Sequence, residues 1–172
     1  EVETVTLSTE KKKKGKDTKQ KPLTVPKEAK AWLEDSSEYS LVMKDTSVVA
    51  FPKAYDSEYA LLQQSLKVIH AGITLGEIKG KDLIPHHSLA MSTALASDAF
   101  PRAEVNYEQA ISYLRKEGLI LDADVPRGYV LLTYKDVPLG FVKNIGNRAN
   151  NLYPQEWRIR SGYLPEEVVT VF

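Results

Sequence analysis

The stretch "GYVLLTYKDVPLGFVKN", residues 128–144, sets the fold. "GYVLLTY" is apolar, aromatic and β-branched, and reads as a strand long enough to be central in its sheet. "KDVP" turns the chain, and "LGFVKN" pairs back. Upstream lies the clearest helix of the sequence, "NYEQAISYLRKEG". Asn106 is its N-cap and Gln109, three residues on, comes close to a capping box. Tyr107, Ala110, Ile111 and Leu114 form the expected buried stripe, and Gly118 supplies a left-handed stop.

Further toward the N-terminus, "PKEAKAWLED" places proline in the first turn of a short helix that packs through Trp32 and Leu33. "YSLVM" and "SVVAF" read as a hairpin turning at Lys44 and Asp45. Asp56 is placed to cap a helix over residues 57–66, with Tyr59, Leu62 and Leu66 on one face. "KVIHAGITLGEIK" reads as one bent strand or two short ones, interrupted at Gly72 and Gly76. Ser88 caps a short helix through Leu89, Met91 and Leu95. "EWRIR" and "VVTVF" are candidates for further short strands. The sum is an α+β chain of short strands in hairpins with a few short helices. Pro101 is the best internal boundary, giving a linker at residues 1–25 and two subdomains at residues 26–100 and 101–172.

Residues 11–21, "KKKKGKDTKQK", hold seven lysines against Asp17, a self-repelling block suited to a solvated tether or to loose attraction to RNA phosphates. The chain as a whole is neutral, with 23 basic and 23 acidic residues, so net charge names no partner. It has no cysteine, which removes disulfides, thiolate metal sites and thiol nucleophiles and fits a reducing, cytoplasmic setting. No apolar run approaches the ~20 residues of a membrane helix, and no signal peptide is visible. The first residue is glutamate, as expected of a processed chain or of a piece of a longer protein.

Little points to catalysis. His70 lies in an apolar run and reads as a core or edge residue, while the adjacent His86 and His87 diverge, which is poor geometry for chelating one ion. Nucleophile elbows, phosphate loops and dinucleotide fingerprints are missing from the sequence. Binding has more support. Residues 140–160, "GFVKNIGNRANNLYPQEWRIR", carry Lys143, Arg148, Arg158 and Arg160 against Glu156, with four asparagines, Tyr153 and Trp157. Arginine grips phosphate with a planar fork, amides donate and accept, and an aromatic face stacks an unpaired base for ~1–3 kcal/mol. The same asparagines and glycines also suit a plain tight turn. If "EWRIR" is a strand, Trp157 and Ile159 point inward and Arg158 and Arg160 outward together. Gly140, Gly146 and Pro154 read as backbone devices.

"PLGFVKNIGNRANNLYPQEWRIRS" resembles the C-terminal signature of bacterial rRNA cytosine-5 methyltransferases of the RsmF (YebU) kind. Pro138, Leu139, Gly140 and Lys143, then Asn151, Tyr153, Pro154 and Arg158, stand at matching places. "YEQAISYLRKEGL" looks like the segment before the family's strand pair, and "AGITLGEIKGKDLIPHHSLAMSTAL" resembles the module called pre-PUA. The resemblance runs from about residue 39 to 161. It implies small mixed β-barrel or sheet modules, PUA-like at the C-terminus, and a parent enzyme that uses S-adenosylmethionine to methylate cytosine in rRNA. That chemistry needs two cysteines and a cofactor domain that this chain lacks, so no catalytic residue, metal or cofactor is assigned to it. The resemblance implies an RNA-binding region that docks the enzyme on small-subunit rRNA or its precursor. Lys143, Arg148, Arg158 and Arg160 would hold phosphates, Asn147, Asn150 and Asn151 would shape the loop or read sugar and base edges, and Tyr153 would stack or pack. Its other expected partner is its own N-terminal methyltransferase domain, with no membrane and a monomeric state. The alternatives are a module that mainly packs on that catalytic domain, and a free-standing RNA-binding protein.

Overall fold

A computed structural model of the chain describes residues 24–163. The lysine-rich segment and the expected strand "VVTVF" lie outside those residues. Two four-stranded sheets organise the rest. In the first, β1 (Tyr39–Lys44), β2 (Ser47–Pro52), β3 (Ile73–Lys79) and β4 (Asp82–Pro85) follow one another antiparallel in chain order. The β1–β2 turn falls at Asp45, which takes a left-handed φ of 54°. Register shifts between Val48 and Val49 where β2 meets β3, forming a bulge opposite Gly76 and Thr74. A Cβ at Gly76 would stand 2.7 Å from the Ile84 carbonyl oxygen and 2.9 Å from the Trp32 ring, so only glycine fits.

The second sheet is mixed and, like the first, open rather than closed into a barrel. Its order is β5 (Arg102–Glu104), β6 (Gly128–Tyr134), β7 (Val137–Asn144) and β8 (Ala149–Asn151). β5 runs parallel to β6 and is joined to it through a helix, whereas β6, β7 and β8 are antiparallel. Lys135 and Asp136 turn the β6–β7 hairpin with φ of 50° and 63°, the paired left-handed geometry that matches the strands' own twist. The Glu104 carboxylate pins this turn, accepting from the Thr133 hydroxyl and the Lys135 amide.

Alternation along β6 and β7 explains why "GYVLLTY" is apolar throughout. Leu131 and Phe141 face the first sheet and join Trp32, Val48, Leu75, Leu89 and Phe100 in one core. Val130, Leu132 and Val142 face the other way and pack with Ala110 and Tyr113 in a second. A strand buried on both faces has no polar face to show. Each fully buried Leu or Phe here is worth ~1.5–3 kcal/mol. The path between the sheets passes Phe100 and Pro101, whose carbonyl accepts from Leu131 N at 2.9 Å.

Four short helices complete the fold: α1 (Lys27–Ala31), α2 (Asp56–Ser65), α3 (His87–Ala90) and α4 (Tyr107–Leu114). α4 has the full capping box expected at Asn106 and Gln109. Its buried side chains are Ala110 and Tyr113, while Tyr107, Ile111 and Leu114 are half-buried. Gly118 is not its stop. Lys116 takes the left-handed position, φ 68°, and Lys116 N and Glu117 N close a Schellman pair onto Tyr113 O and Ser112 O, each at 2.9 Å.

The structure corrects four further expectations. α2 buries no residue: Leu62 and Leu66 are exposed, and only Tyr59 on that face is half-buried, stacked on Phe51 at 4.5 Å. Asp56 begins the helix without capping it and instead accepts from the Ser40 hydroxyl at 2.6 Å. α3 is capped not by Ser88 but by the His86 ring, whose Nδ1 accepts from Ser88 N at 3.1 Å. His70 is exposed and outside the strands, because the chain becomes strand only from Ile73.

Candidate nucleic-acid interface

Residues 151–159 are first of all a cap for α4. The helix leaves its last carbonyls pointing at this segment, and polar groups there meet them. Asn151 Nδ2 donates to Tyr113 O at 2.8 Å and to Glu117 O at 2.9 Å, and its Oδ1 accepts from Tyr153 N at 2.9 Å. Lys116 Nζ returns a bond to Asn151 O at 2.7 Å. Ile159 N donates to Leu114 O at 2.9 Å. Asn151 therefore has both ends of its amide engaged inside the molecule. Asn144 is similar: it is buried, donates to Val125 O and Pro126 O, and accepts from Gly146 N at 2.9 Å.

Tyr153 is half-buried, edge-on to Tyr113 at 5.3 Å and to His87 at 5.1 Å. Trp157, expected in the core, is 57% exposed and touches His87 at 5.4 Å. "EWRIR" is no strand: Gln155–Trp157 makes one 3-10 turn and Arg158 then runs extended, so the inward alternation required for Trp157 never arises. Ile159 is half-buried, as expected, and Arg158 and Arg160 are exposed on either side of it.

Behind these rings the site is tight. A Cβ at Gly140, φ 142°, would land on the Tyr113 hydroxyl and stand 2.8 Å from His87 Nδ1. The Tyr113 hydroxyl donates to Phe141 O at 3.3 Å, and burial pushes its titration well above the usual phenol range. His87 is buried, and burial foremost, then the neighbouring His86, pulls its pKa below the usual histidine range.

The basic residues fall in three places. Lys143 sits at the seam between the sheets, 3.3 Å from the Asp82 carboxylate and 5.2 Å from the centre of the Tyr129 ring. Its hydrogen bond to Asp82 raises its pKa first of all, so this lysine already has its counter-ion. Asn150 lies opposite Lys143 in the β7–β8 register and is exposed. Arg148 and Asn147 are exposed on the turn between β7 and β8. Arg127, which the sequence did not single out, lays its guanidinium over Gly146 in that turn, where a Cβ would stand 2.9 Å from Nε.

Arg158 and Arg160 share the third place with Arg115, also missed from the sequence. Together with Glu117, Ile159 and Ser161 they line an open cleft of about 420 Å³. Arg115 Nη2 donates to Ser161 O at 3.1 Å, holding the segment against the helix end. None of the three arginines makes an ion pair among the described residues. Arg115 follows the last helical turn of a stripe read for burial, which is why it escaped a reading by local charge density. Among the described residues no three metal-ligating side chains gather, and no helix is long and apolar enough to cross a membrane.

Residues 100–159 match the family model described as the methyltransferase RsmF PUA domain. The chain is similar over a longer span to proteins named ribosomal RNA small subunit methyltransferase F. It is 28% identical to that of Erwinia tasmaniensis across 74% of this chain and 26% of the relative. Identity is 26% with that of Klebsiella pneumoniae, across 73% of this chain and 25% of the relative. Against that of Cronobacter sakazakii it is 30%, across 78% and 27%. The chain thus spans about a quarter of the length of these relatives. The second sheet, α4 and the capping segment all fall inside the matched residues, so it is this part of the chain that is similar to the RsmF methyltransferase PUA domain.

Proposed function

We propose that this chain is the RNA-docking part of an rRNA methyltransferase that uses S-adenosylmethionine, and that it holds the enzyme on small-subunit rRNA. The observation that carries this reading is the cleft of Arg115, Arg158 and Arg160, lined with one acid, with the exposed Trp157 next to Arg158 in the chain. Three planar forks can take backbone phosphates, and an exposed indole one residue away can stack an unpaired base. Arg127, Asn147, Arg148 and Asn150 extend the surface along the β7–β8 turn. Lys143 stands at the seam between the sheets, paired with Asp82, and Asn151 and Tyr153 contribute by shaping the segment. Transfer of the methyl group is assigned to polypeptide outside this chain, since the sequence has no cysteine to attack a base.

The test is binding of small-subunit rRNA fragments across a salt series, comparing the unaltered chain with Arg158→Glu/Arg160→Glu. The pair should weaken binding more than ~10-fold near physiological salt and make log K less steep in log salt by about 1.5. Trp157→Ala should weaken binding with little change of slope, as lost stacking would. Equal affinity for the arginine pair and the unaltered chain removes the cleft from the interface.

A further inference from the structure

α2 is a helix without a floor. None of its ten residues is buried. Leu61 is 64% exposed and Leu66 61%, and just beyond the helix Ile69 is 89% exposed. Of the twelve large apolar side chains exposed among the described residues, six fall between Val42 and Ile69. Such crowding within one short segment is unlike the scattered apolar residues of an ordinary surface. A ten-residue helix is marginal on its own in water and is normally held by the face it buries. Here the internal supports are the Tyr59 ring on Phe51 and the Ser40 bond to Asp56. Beside the helix, Val42, Val49, Phe51, Tyr59, His70 and Thr74 line a cleft of about 320 Å³, large enough for an inserted side chain.

Charge decides what kind of partner fits. α2 has Asp56 and Glu58 in its first turn and no lysine or arginine anywhere between Asp56 and Ser65. The cleft beside the helix holds Lys44 next to Asp45, so helix and cleft together carry no excess of positive charge to draw phosphate and suit another apolar protein face. The relatives are about four times the length matched here, so a protein of their size carries ample further polypeptide to supply that face.

We propose that the exposed face of α2 and its cleft are the seat of the methyltransferase portion of the same polypeptide, on a surface separate from the arginine cleft. The inference rests on the reading of this chain as part of an RsmF-type enzyme. Docking on this face fixes the angle between the RNA surface and the active site, and Leu61, Leu62, Leu66 and Ile69 are the residues it covers.

The test compares amide hydrogen exchange over residues 57–69 in the full-length gene product and in the 172-residue chain, each with and without Leu61→Glu/Leu66→Glu. Exchange over α2 should be at least about tenfold slower in the longer protein, as expected of a helix that gains burial. The glutamate pair should abolish that difference while leaving the melting temperature of the 172-residue chain unchanged. Equal exchange in the two proteins overturns the proposal, as does a gene that encodes nothing beyond this chain. Concentration-dependent protection of α2 in the 172-residue chain alone overturns it in favour of a second copy. The rRNA titration of Arg158→Glu/Arg160→Glu uses other residues and another readout, so a failure of either reading shows separately.

Discussion

α2 and α4 are the two longest helices in the described chain, and they make opposite use of their apolar residues. α4 lies on the second sheet, buries Ala110 and Tyr113, and has both ends closed by side chains or backbone of its own chain. α2 stands beside the first sheet with its leucines exposed and no side-chain cap at its start. Both sequences show apolar residues at spacings of three and four. The difference teaches that such spacing marks a face that will be covered, without saying by what. For α4 the cover is the β6–β7 hairpin a few residues downstream. For α2 the described residues offer a single ring, Phe51, and leave the rest of the face exposed.

The widest test of this contrast is to remove the anchor of each helix. Tyr113→Ala takes a fully buried ring out of the second core, together with its hydroxyl bond to Phe141 O. Loss of ~3–5 kcal/mol is expected, the range for a large aromatic truncated in a core. Tyr59→Ala removes the half-buried ring of α2 and should cost less than half as much. Denaturant unfolding monitored by circular dichroism gives both values. Equal losses would mean that α2 is held as firmly as α4 and would remove the contrast.

A smaller effect separates the asparagines. Asn151→Ala leaves Tyr113 O and Glu117 O without their side-chain donor and frees the end of α4, at an expected cost of about 1–2 kcal/mol. Asn147→Ala, on the exposed turn, should lie within about 0.5 kcal/mol of the unaltered chain. In rRNA binding the order reverses: Asn147→Ala weakens affinity directly, and Asn151→Ala acts only as far as it unsettles the arginine segment. Chemical denaturation and the same rRNA titration, run side by side, read the two orders.

These asparagines also show what sequence can carry. The β6–β7 hairpin and the capping box at Asn106 and Gln109 rest on neighbours in sequence, and both were legible there. Asn151 instead bonds to residues 38 and 34 positions away, so composition could only note that an amide was present. Trp157 is exposed because the backbone at Gln155–Trp157 makes a 3-10 turn in place of a strand, and a single turn in a polar context leaves no periodicity to read. Arg115 and Arg127 join the basic surface only through folding, across separations that a count of local charge cannot see. The exposed face of α2 is the converse case: its spacing predicts burial, and among the described residues none of the helix is buried.

The finest test uses acid. His87 ends the row of rings that begins under α4 with Tyr113 and continues through Tyr153, and its Nδ1 finds no hydrogen-bond partner among the described residues. Burial first, then the charge of His86, holds its folded pKa below the unfolded value of about 6.5. Between those two values the unfolded chain binds more protons than the folded one, so stability increases with pH across that window. The contribution is complete above the unfolded pKa and is lost as pH falls toward the folded pKa. His86 shifts in the same direction, again chiefly through burial, and adds to the slope. His87→Phe keeps an aromatic ring against Tyr153 and Trp157 and removes both the titration and the unpartnered nitrogen. Urea midpoints measured from about pH 8 down to pH 5 should fall for the unaltered chain, and the decline should be shallower for His87→Phe. The residual slope belongs to His86. An unchanged slope would show that the ring row beneath α4 admits water enough to charge His87 freely, and that this helix is less firmly sealed than its contrast with α2 requires.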